Sequence, residues 1–191
     1  PPINGALVAA VRMITGIRPL VVGPGMKTGL NIALDNPATM GSDLVVGAAA
    51  ALAMHAPPLI IIDMGTATTM TVIDREARVL GGAIIPGVGI SLEALASGTS
   101  QLPRISLDAP KKCICSETVE AMRSGSVYGT AAMLDGMIDR MEDELGEPAA
   151  VIATGGLGGC IIPHCRREIT YDKNLLLNGL WELYQKNKRK R

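Results

Sequence analysis

The sequence has no phenylalanine, one tryptophan and three tyrosines among its 191 residues. Proteins that hold single-stranded nucleic acid stack the bases on aromatic side chains, so this scarcity argues against such a function. Lysine and arginine number 18, aspartate and glutamate also number 18, and the net charge is zero. The chain therefore has no global field to attract nucleic acid or an anionic membrane surface. The basic tail 186–191 is interpreted as a solvated chain end.

Long apolar runs and cysteines are also scarce. No stretch reaches the roughly 18 uncharged apolar residues of a membrane-spanning helix, since Asp43 precedes and His55 follows the apolar segment 47–53. Four cysteines are too few for a disulfide scaffold, so we expect reduced thiols and a cytoplasmic protein without membrane contact. No signal peptide is recognisable, and because the sequence starts at Pro1-Pro2 we expect it to be part of something longer.

The order of apolar segments predicts an α/β fold. Hydrophobic residues make up 48% and charged residues 19% of the chain, which is typical of a folded globular protein. The apolar runs Leu59–Ile62 and Ala149–Ala153 are expected to be strands buried on both faces. Between them, Thr68–Ile73 and Val79–Ile85 also have the pattern of strands. A further short strand is predicted at 19–22, and helices at 7–14, 42–54 capped by Ser42, 90–96, 116–145 capped by Ser116, and 172–184.

Several segments resemble known binding motifs but fail on spacing. The segment Gly23–Thr28 resembles a phosphate loop, but methionine stands where that motif needs glycine before the lysine. Gly87–Leu92 and Gly156–Ile161 each lack the third glycine of a dinucleotide fingerprint. A zinc site is an alternative to free thiols, but the spacings match no common zinc module. Its residues would be Cys113, Cys115, Cys160, His164 and Cys165.

The strongest local signal is the polar turn Asp63–Thr69 after a buried strand. Glycine allows close approach of a phosphate, and threonine hydroxyls and backbone N–H groups donate to phosphate oxygens. A carboxylate at the strand end could hold a cation that offsets phosphate charge. Glycine-rich turns at Gly81-Gly82 and Thr154–Gly156 are expected to converge on the same nucleotide. The alternative is a polar hairpin turn that binds nothing.

Taken together, colinear motifs over nearly the whole chain resemble type III pantothenate kinase, a family of the acetate and sugar kinase, heat-shock-protein-70 and actin superfamily. The resemblance implies a ribonuclease-H-like, actin-type α/β fold and transfer of a phosphoryl group from ATP to pantothenate, the first step of coenzyme A synthesis. The segments that carry it are Arg18–Gly29, Asp35–Pro37, Gly41–Asp43, Asp63–Thr69, Gly81–Ser91, Glu117–Met122 and Ala153–Leu157.

The resemblance also implies roles for individual residues. Asp43 matches the catalytic base, within an acceptor segment formed by Gly41, Ser42, Asp43 and Leu44, and Thr118 matches a pantothenate contact. Asp63 matches the ligand of a monovalent cation, potassium or ammonium, and magnesium is expected with ATP. A homodimer is implied, with the long helix 116–145 as a candidate dimer face. The matching nucleotide contacts are Gly65, Thr66, Gly155 and Gly156.

Two residues depart from the family pattern. Leu44 stands where relatives commonly have an arginine that contacts pantothenate, and Leu34 stands where they often have a tyrosine. These changes weaken the inference that pantothenate is the acceptor. They do not affect the inference that the chain binds a nucleotide. A non-catalytic homologue that acts as a regulator or partner, and a kinase for another small alcohol, therefore remain as alternatives.

Relatives begin with a strand and an Asp-x-Gly-Asn-Thr turn that forms a first phosphate loop, and no such segment occurs in this sequence. We therefore expect residues 1–56 to be the remnant of an N-terminal subdomain that carries the acceptor segment. Residues 57–191 are expected to form a C-terminal actin-like subdomain with the second phosphate hairpin and the adenosine turn. Without the first loop, the chain alone is expected to turn over ATP poorly.

Overall fold

The computed structural model describes residues 3–188 and has a mixed α/β architecture, as the sequence predicts. Within these residues, one sheet has six strands in the order β1-β4-β3-β2-β5-β6. The strands are β1 Asn31–Ile32, β2 Leu59–Met64, β3 Ala67–Ile73, β4 Arg78–Pro86, β5 Ala150–Thr154 and β6 Thr170–Tyr171. The α-helices are α1 Asn4–Thr15, α2 Ser42–Met54, α3 Val88–Ser97, α4 Thr118–Leu145, α5 Gly158–Ile161 and α6 Leu175–Asn187.

The central strand β2 has both faces covered, which explains its continuous apolar run. Successive side chains of a strand point to opposite faces. Leu59 and Ile61 pack in the cluster that contains α2, whereas Ile60, Ile62 and Met64 pack in the cluster that contains α4. β2 pairs antiparallel with β3 and parallel with β5, so it has a hydrogen-bonded neighbour on each side. The strand is therefore buried by sheet and helices alike.

Helices cover both faces of the sheet. On one face α2 lies between the sheet and α6, and its residues 46–51 are all buried. This double burial explains why α2 is apolar around most of its circumference. On the other face α4 buries Val127, Leu134 and Ile138, whose spacing of seven and four residues marks one helical stripe. The helices on each face and the sheet residues that they cover form the two main core clusters.

The structure corrects the predicted caps and one strand. Segment 19–22 lies within the described residues and has no regular secondary structure. Ser42 is the first residue of α2, the cap residue is Gly41, and the Ser42 hydroxyl donates to the Val22 carbonyl at 3.2 Å. At α4 the cap is Glu117 instead of Ser116, since the Glu117 carboxylate accepts from the N–H groups of residues 119 and 120.

Other differences concern short elements and glycine positions. The Gly81-Gly82 pair lies inside β4, next to a register irregularity with β3, and is not a turn. The short elements α5 and β6 were not predicted. Among the described residues, no helix is long and apolar enough to cross a membrane. Of the basic tail, Lys186–Lys188 are described, while Pro1, Pro2 and residues 189–191 lie outside the described residues.

Candidate active site

The start of α2 and the end of β2 meet because the two elements run in opposite directions and have equal lengths. α2 has 13 residues and β2 has six. At about 1.5 Å per helical residue and about 3.3 Å per strand residue, each element is roughly 20 Å long. The strand therefore brings Asp63, the fifth residue of β2, back beside Asp43, the second residue of α2. Both side chains line one narrow cleft.

Strand pairing surrounds Asp63 with threonines. Asp63 lies opposite Thr69 of β3 and opposite Thr154 of β5, and Thr71 lies two residues further along β3 on the same face. Thr154 and Thr71 are buried. All three threonines line the cleft with the two aspartates. The cleft thus presents carboxylate and hydroxyl oxygens, which are the ligands that hard cations prefer.

The cleft has a negative electrostatic potential, because its charged lining residues are Asp43 and Asp63. The pKa of Asp63 is raised above its ordinary value, first by burial and second by the charge of Asp43. Asp43 itself is exposed, and its Oδ1 accepts a hydrogen bond from the Leu44 N–H at 3.0 Å. In the described part of the chain, no lysine, arginine or histidine lines this cleft. A bound cation would therefore relieve the repulsion between the two carboxylates.

The turn between β2 and β3 is held by a second glycine turn. The Gly65 N–H donates to the Ala67 carbonyl at 3.1 Å, and the Gly87 N–H donates to the Thr66 carbonyl at 3.2 Å. A Cβ atom at Gly87 would lie 2.6 Å from the Gly65 carbonyl oxygen and would overlap the Thr66 oxygen. Only glycine fits this contact. Gly65 and Thr66 are both exposed, so their backbone and the Thr66 hydroxyl are accessible to a ligand.

The turn after β5 reaches the same edge of the sheet. Gly155 has φ +98°, and a Cβ atom there would lie 2.5–2.6 Å from the Met64 backbone. The left-handed conformation and the close approach both require glycine. The Tyr171 hydroxyl donates to the Gly155 carbonyl at 2.8 Å and so fixes the turn. Gly156 is exposed. The turns at Gly65-Thr66 and Gly155-Gly156 therefore both lie at the end of β2.

Thr118 lies in a different cleft from the aspartates. It is the first residue of α4, it is exposed, and it lines a cleft of about 710 Å³ between α3 and α4. Neither Asp43 nor Asp63 lines that cleft. The structure thus brings together Asp43, Leu44 and Asp63, places the two glycine turns near them, and does not add Thr118 to that group within one copy of the chain.

The cysteines and His164 do not form a zinc site. Within residues 3–188, no three histidine, cysteine, aspartate or glutamate side chains are grouped so that they could hold a metal ion. The four cysteines are free. Burial, and then the charge of Asp135, raises the pKa of Cys165 to about 12, so this thiol stays protonated at neutral pH.

Three cleft threonines, Thr69, Thr71 and Thr154, were not predicted as neighbours of Asp63, although Thr69 and Thr154 belong to turns that the sequence assigned to the nucleotide. The first two could have been found from the hairpin, because alternate residues of β3 share the face of Asp63. Thr154 could not, since its position depends on β5 lying beside β2, which is a tertiary pairing with a long separation in the sequence.

Comparison with known proteins identifies the family. A sequence model described as type III pantothenate kinase matches residues 1–140. The type III pantothenate kinase of Exiguobacterium sp. (strain ATCC BAA-1283 / AT1b) is 45% identical over 189 residues, which cover 99% of this chain and 74% of that protein.

A solved structure from Campylobacter jejuni, assigned to the Baf family of transcriptional activators, superposes with a TM-score of 0.62 at 21% identity. The match covers 97% of this chain and 80% of that one, and it supports the fold alone. The family match and the 45% identity to the Exiguobacterium enzyme show the family as well as the fold. This chain belongs to the type III pantothenate kinase family, whose members phosphorylate pantothenate in coenzyme A biosynthesis.

Proposed function

We propose that this chain transfers the γ-phosphoryl group of ATP to the primary hydroxyl of pantothenate, with Asp43 as the base and Asp63 as the ligand of a monovalent cation. The observation that carries the proposal is the shared cleft of these two carboxylates at the end of β2. Glycine turns from two different connections lie at the same edge. Phosphoryl transfer depends mainly on positioning and on electrostatic stabilisation, and this arrangement provides both.

Asp43 suits the role of base because its carboxylate is exposed at the start of a helix. The pantothenate hydroxyl oxygen forms a bond to the γ-phosphorus, and the bond between that phosphorus and the oxygen that bridges it to the β-phosphorus breaks. The hydroxyl proton passes to the Asp43 carboxylate, and ADP leaves. Gly41, Ser42 and Leu44 flank the base, and we assign them to the acceptor side.

Asp63 suits the role of cation ligand because its carboxylate is half-buried, faces another carboxylate and has threonines on both sides. Potassium or ammonium bound there would offset the charge of the aspartates and of the transferred phosphate. The cation supplies charge compensation only. Magnesium, in this proposal, arrives with ATP and is held largely by the phosphates and water, as this ion usually is.

The nucleotide is assigned to the two glycine turns at the end of β2. The N–H group of the exposed Thr66 and the Thr66 hydroxyl would donate to phosphate oxygens, and Gly65 would allow the phosphate to approach closely. Gly155 and Gly156 would lie on the adenosine side. The order of strands, with three antiparallel neighbours followed by parallel ones, supports an actin and sugar kinase type of fold with subdomains at 1–56 and 57–191.

We infer a homodimer that uses the face around Thr118. The cleft of about 710 Å³ beside it has a mostly apolar lining. On the same helix, Ala121, Gly125 and Gly129 are exposed, and Cβ atoms at the two glycines would meet nothing within 4 Å. Small residues permit close approach of a second helix. Thr118 would then lie at the interface, and a cytoplasmic location would give the enzyme its ATP.

Product analysis tests the proposed function. The purified enzyme is incubated with magnesium ATP, potassium and pantothenate, and the products are identified by mass spectrometry. We expect ADP and phosphopantothenate in equal amounts. Other small primary alcohols serve as parallel acceptors. A different alcohol consumed faster than pantothenate would assign another substrate, and no acceptor-dependent ADP release would contradict a kinase function.

A further inference from the structure

One turn of the proposed nucleotide site is held by a side chain from a different strand. Residues 155–158 form the turn that follows β5, and the Gly155 carbonyl oxygen accepts two hydrogen bonds. One comes from the Gly158 N–H at 3.2 Å and closes the turn, and the other comes from the Tyr171 hydroxyl at 2.8 Å. A carbonyl oxygen has two lone pairs, so both acceptor positions of this oxygen are occupied within the chain.

The Tyr171 ring also takes the place of a side chain at the far end of the turn. A Cβ atom at Gly158 would overlap ring Cε2 and would lie 3.0 Å from Cδ2. At Gly159, by contrast, a Cβ atom would lie 3.7 Å from ring Cε1, which is an ordinary van der Waals distance. The ring therefore packs against the backbone of the buried Gly158 while its hydroxyl reaches Gly155. One side chain thus contacts both ends of turn 155–158.

The backbone of Tyr171 is itself fixed beside β5. Tyr171 lies opposite Ala153 in the parallel pairing of β6 with β5. The Asp172 N–H donates to the Ala153 carbonyl at 2.8 Å, and the Asp172 carboxylate accepts from the Asn174 N–H at 2.8 Å. These bonds join β6 both to β5 and to the start of α6. The ring and hydroxyl of Tyr171 therefore extend from a fixed position next to the strand that leads into the turn.

We propose that Tyr171 is a positioning residue for the nucleotide and acts through turn 155–158. This inference rests on the proposed function, in which the turn binds the adenosine side of ATP. The exposed Gly156 donates its N–H to no other group in the described part of the chain, so this donor is available to the nucleotide. Because Tyr171 holds Gly155 and Gly158, the peptide units between them keep one orientation and need no ordering when the nucleotide binds.

Calorimetric binding of magnesium ADP to the purified protein tests this role without depending on turnover. Tyr171→Phe keeps the ring and removes the hydroxyl, so we expect Kd for ADP to rise by about three- to tenfold, as for one lost hydrogen bond. Tyr184→Phe is the matched control and should leave Kd unchanged, because Tyr184 lies near the C-terminal end of α6 and stacks on Trp181. In turnover assays Tyr171→Phe should raise KM for ATP by a similar factor and leave kcat and KM for pantothenate unchanged.

Gly158→Ala tests the same contact from the other side, because its methyl group overlaps the Tyr171 ring. We expect Kd for ADP to rise at least as much as in Tyr171→Phe. Gly159→Ala is the matched control and should bind ADP as the wild type does, since its methyl group lies at an ordinary distance from the ring. Removal of the ring also removes the overlap, so the double variant Gly158→Ala, Tyr171→Ala should bind no more weakly than Tyr171→Ala alone.

Thermal unfolding shows whether each variant is folded. Wild-type Kd values for ADP in folded Tyr171→Phe and Gly158→Ala would overturn the inference and leave the proposed function in place. A loss of kcat or a rise in KM for pantothenate as large as the rise in KM for ATP would show a general structural role, and would also overturn it. A wild-type protein that does not bind ADP would overturn the assignment of the nucleotide to this turn, and the inference with it.

Discussion

Asp63, at the end of the central strand, faces Asp43, at the start of the helix that precedes this strand, and the charge of Asp43 contributes to the raised pKa of Asp63. The pair exists because a helix and a strand of equal length run antiparallel across one face of the sheet. Two like charges in one partly buried cleft destabilise the unliganded protein. Such an arrangement is retained where a ligand with positive charge, or a reaction that needs the carboxylates, compensates for the cost.

The first prediction concerns the pH dependence of stability. The folded-state pKa of Asp63 is raised above the reference value of 3.8, so the fold favours the protonated acid. Stability that is present below pH 3.8 is therefore lost as the pH rises through the raised pKa. Asp63→Asn cannot ionise, and its stability relative to the wild type should increase over that window and then remain constant.

Urea unfolding between about pH 3 and pH 8 measures this difference. The buffers should contain a bulky organic cation, so that no ion binds in the cleft. Asp35→Asn removes an exposed carboxylate outside the cleft and serves as the control. Parallel stability curves for the wild type and Asp63→Asn would show that the fold does not perturb this carboxylate.

The second prediction concerns potassium. One unit charge about 4 Å from another contributes several kcal/mol at an effective dielectric constant of about 20. We therefore expect replacement of potassium by tetramethylammonium to lower kcat/KM for ATP by about tenfold or more. Asp63→Asn should be slow in both salts. Equal rates of the wild type in both salts would show that potassium does not contribute to the reaction.

The third prediction concerns the glycine contact that supports the turn between β2 and β3. Gly87→Ala places a methyl group against the carbonyl oxygens of Gly65 and Thr66, so the turn must move. We expect KM for ATP to rise by about tenfold or more, because a displacement of about 1 Å in a positioned group is costly. Thermal unfolding of the variant shows whether the fold survives.

Gly5→Ala is the matched control for this substitution. Gly5 lies in α1, and a Cβ atom there would meet nothing within 4 Å. Alanine in a helix is more favourable than glycine by about 0.5–1 kcal/mol. The control should therefore keep its KM for ATP and lose no stability. An unchanged KM for ATP in a well-folded Gly87→Ala variant would show that this turn does not take part in nucleotide binding.

Local signals predicted the centre of the fold well. The apolar run at 59–62 and the strands after it were placed to within one or two residues, because each is long, regular and bounded by turn residues. The two caps were wrong because Ser42 and Ser116 look like capping residues in isolation. In the fold the Ser42 hydroxyl bonds to the distant Val22, and Glu117 reaches the free N–H groups of α4 first.

The site was less accessible to sequence reasoning. Asp43 and Asp63 were paired only through the family resemblance, since no local pattern links a helix start to a strand end 20 residues later. The separation of Thr118 from Asp43 depends on where α4 packs, and packing of a 28-residue helix leaves no local sequence mark of its neighbours. Likewise, Leu34 and Leu44 were singled out only through the family resemblance, and no local pattern predicts that the fold brings them to one cleft.

Steady-state phosphorylation of pantothenate by Asp43→Asn tests the central claim most directly. Asn keeps an oxygen that can accept from the Leu44 N–H, and the exposed side chain makes little contribution to the core, so the fold should remain intact. Loss of the base should lower kcat by about 10²–10⁴-fold, while the control Asp35→Asn retains wild-type turnover. A folded Asp43→Asn with nearly full kcat would contradict the assignment of Asp43 as the base.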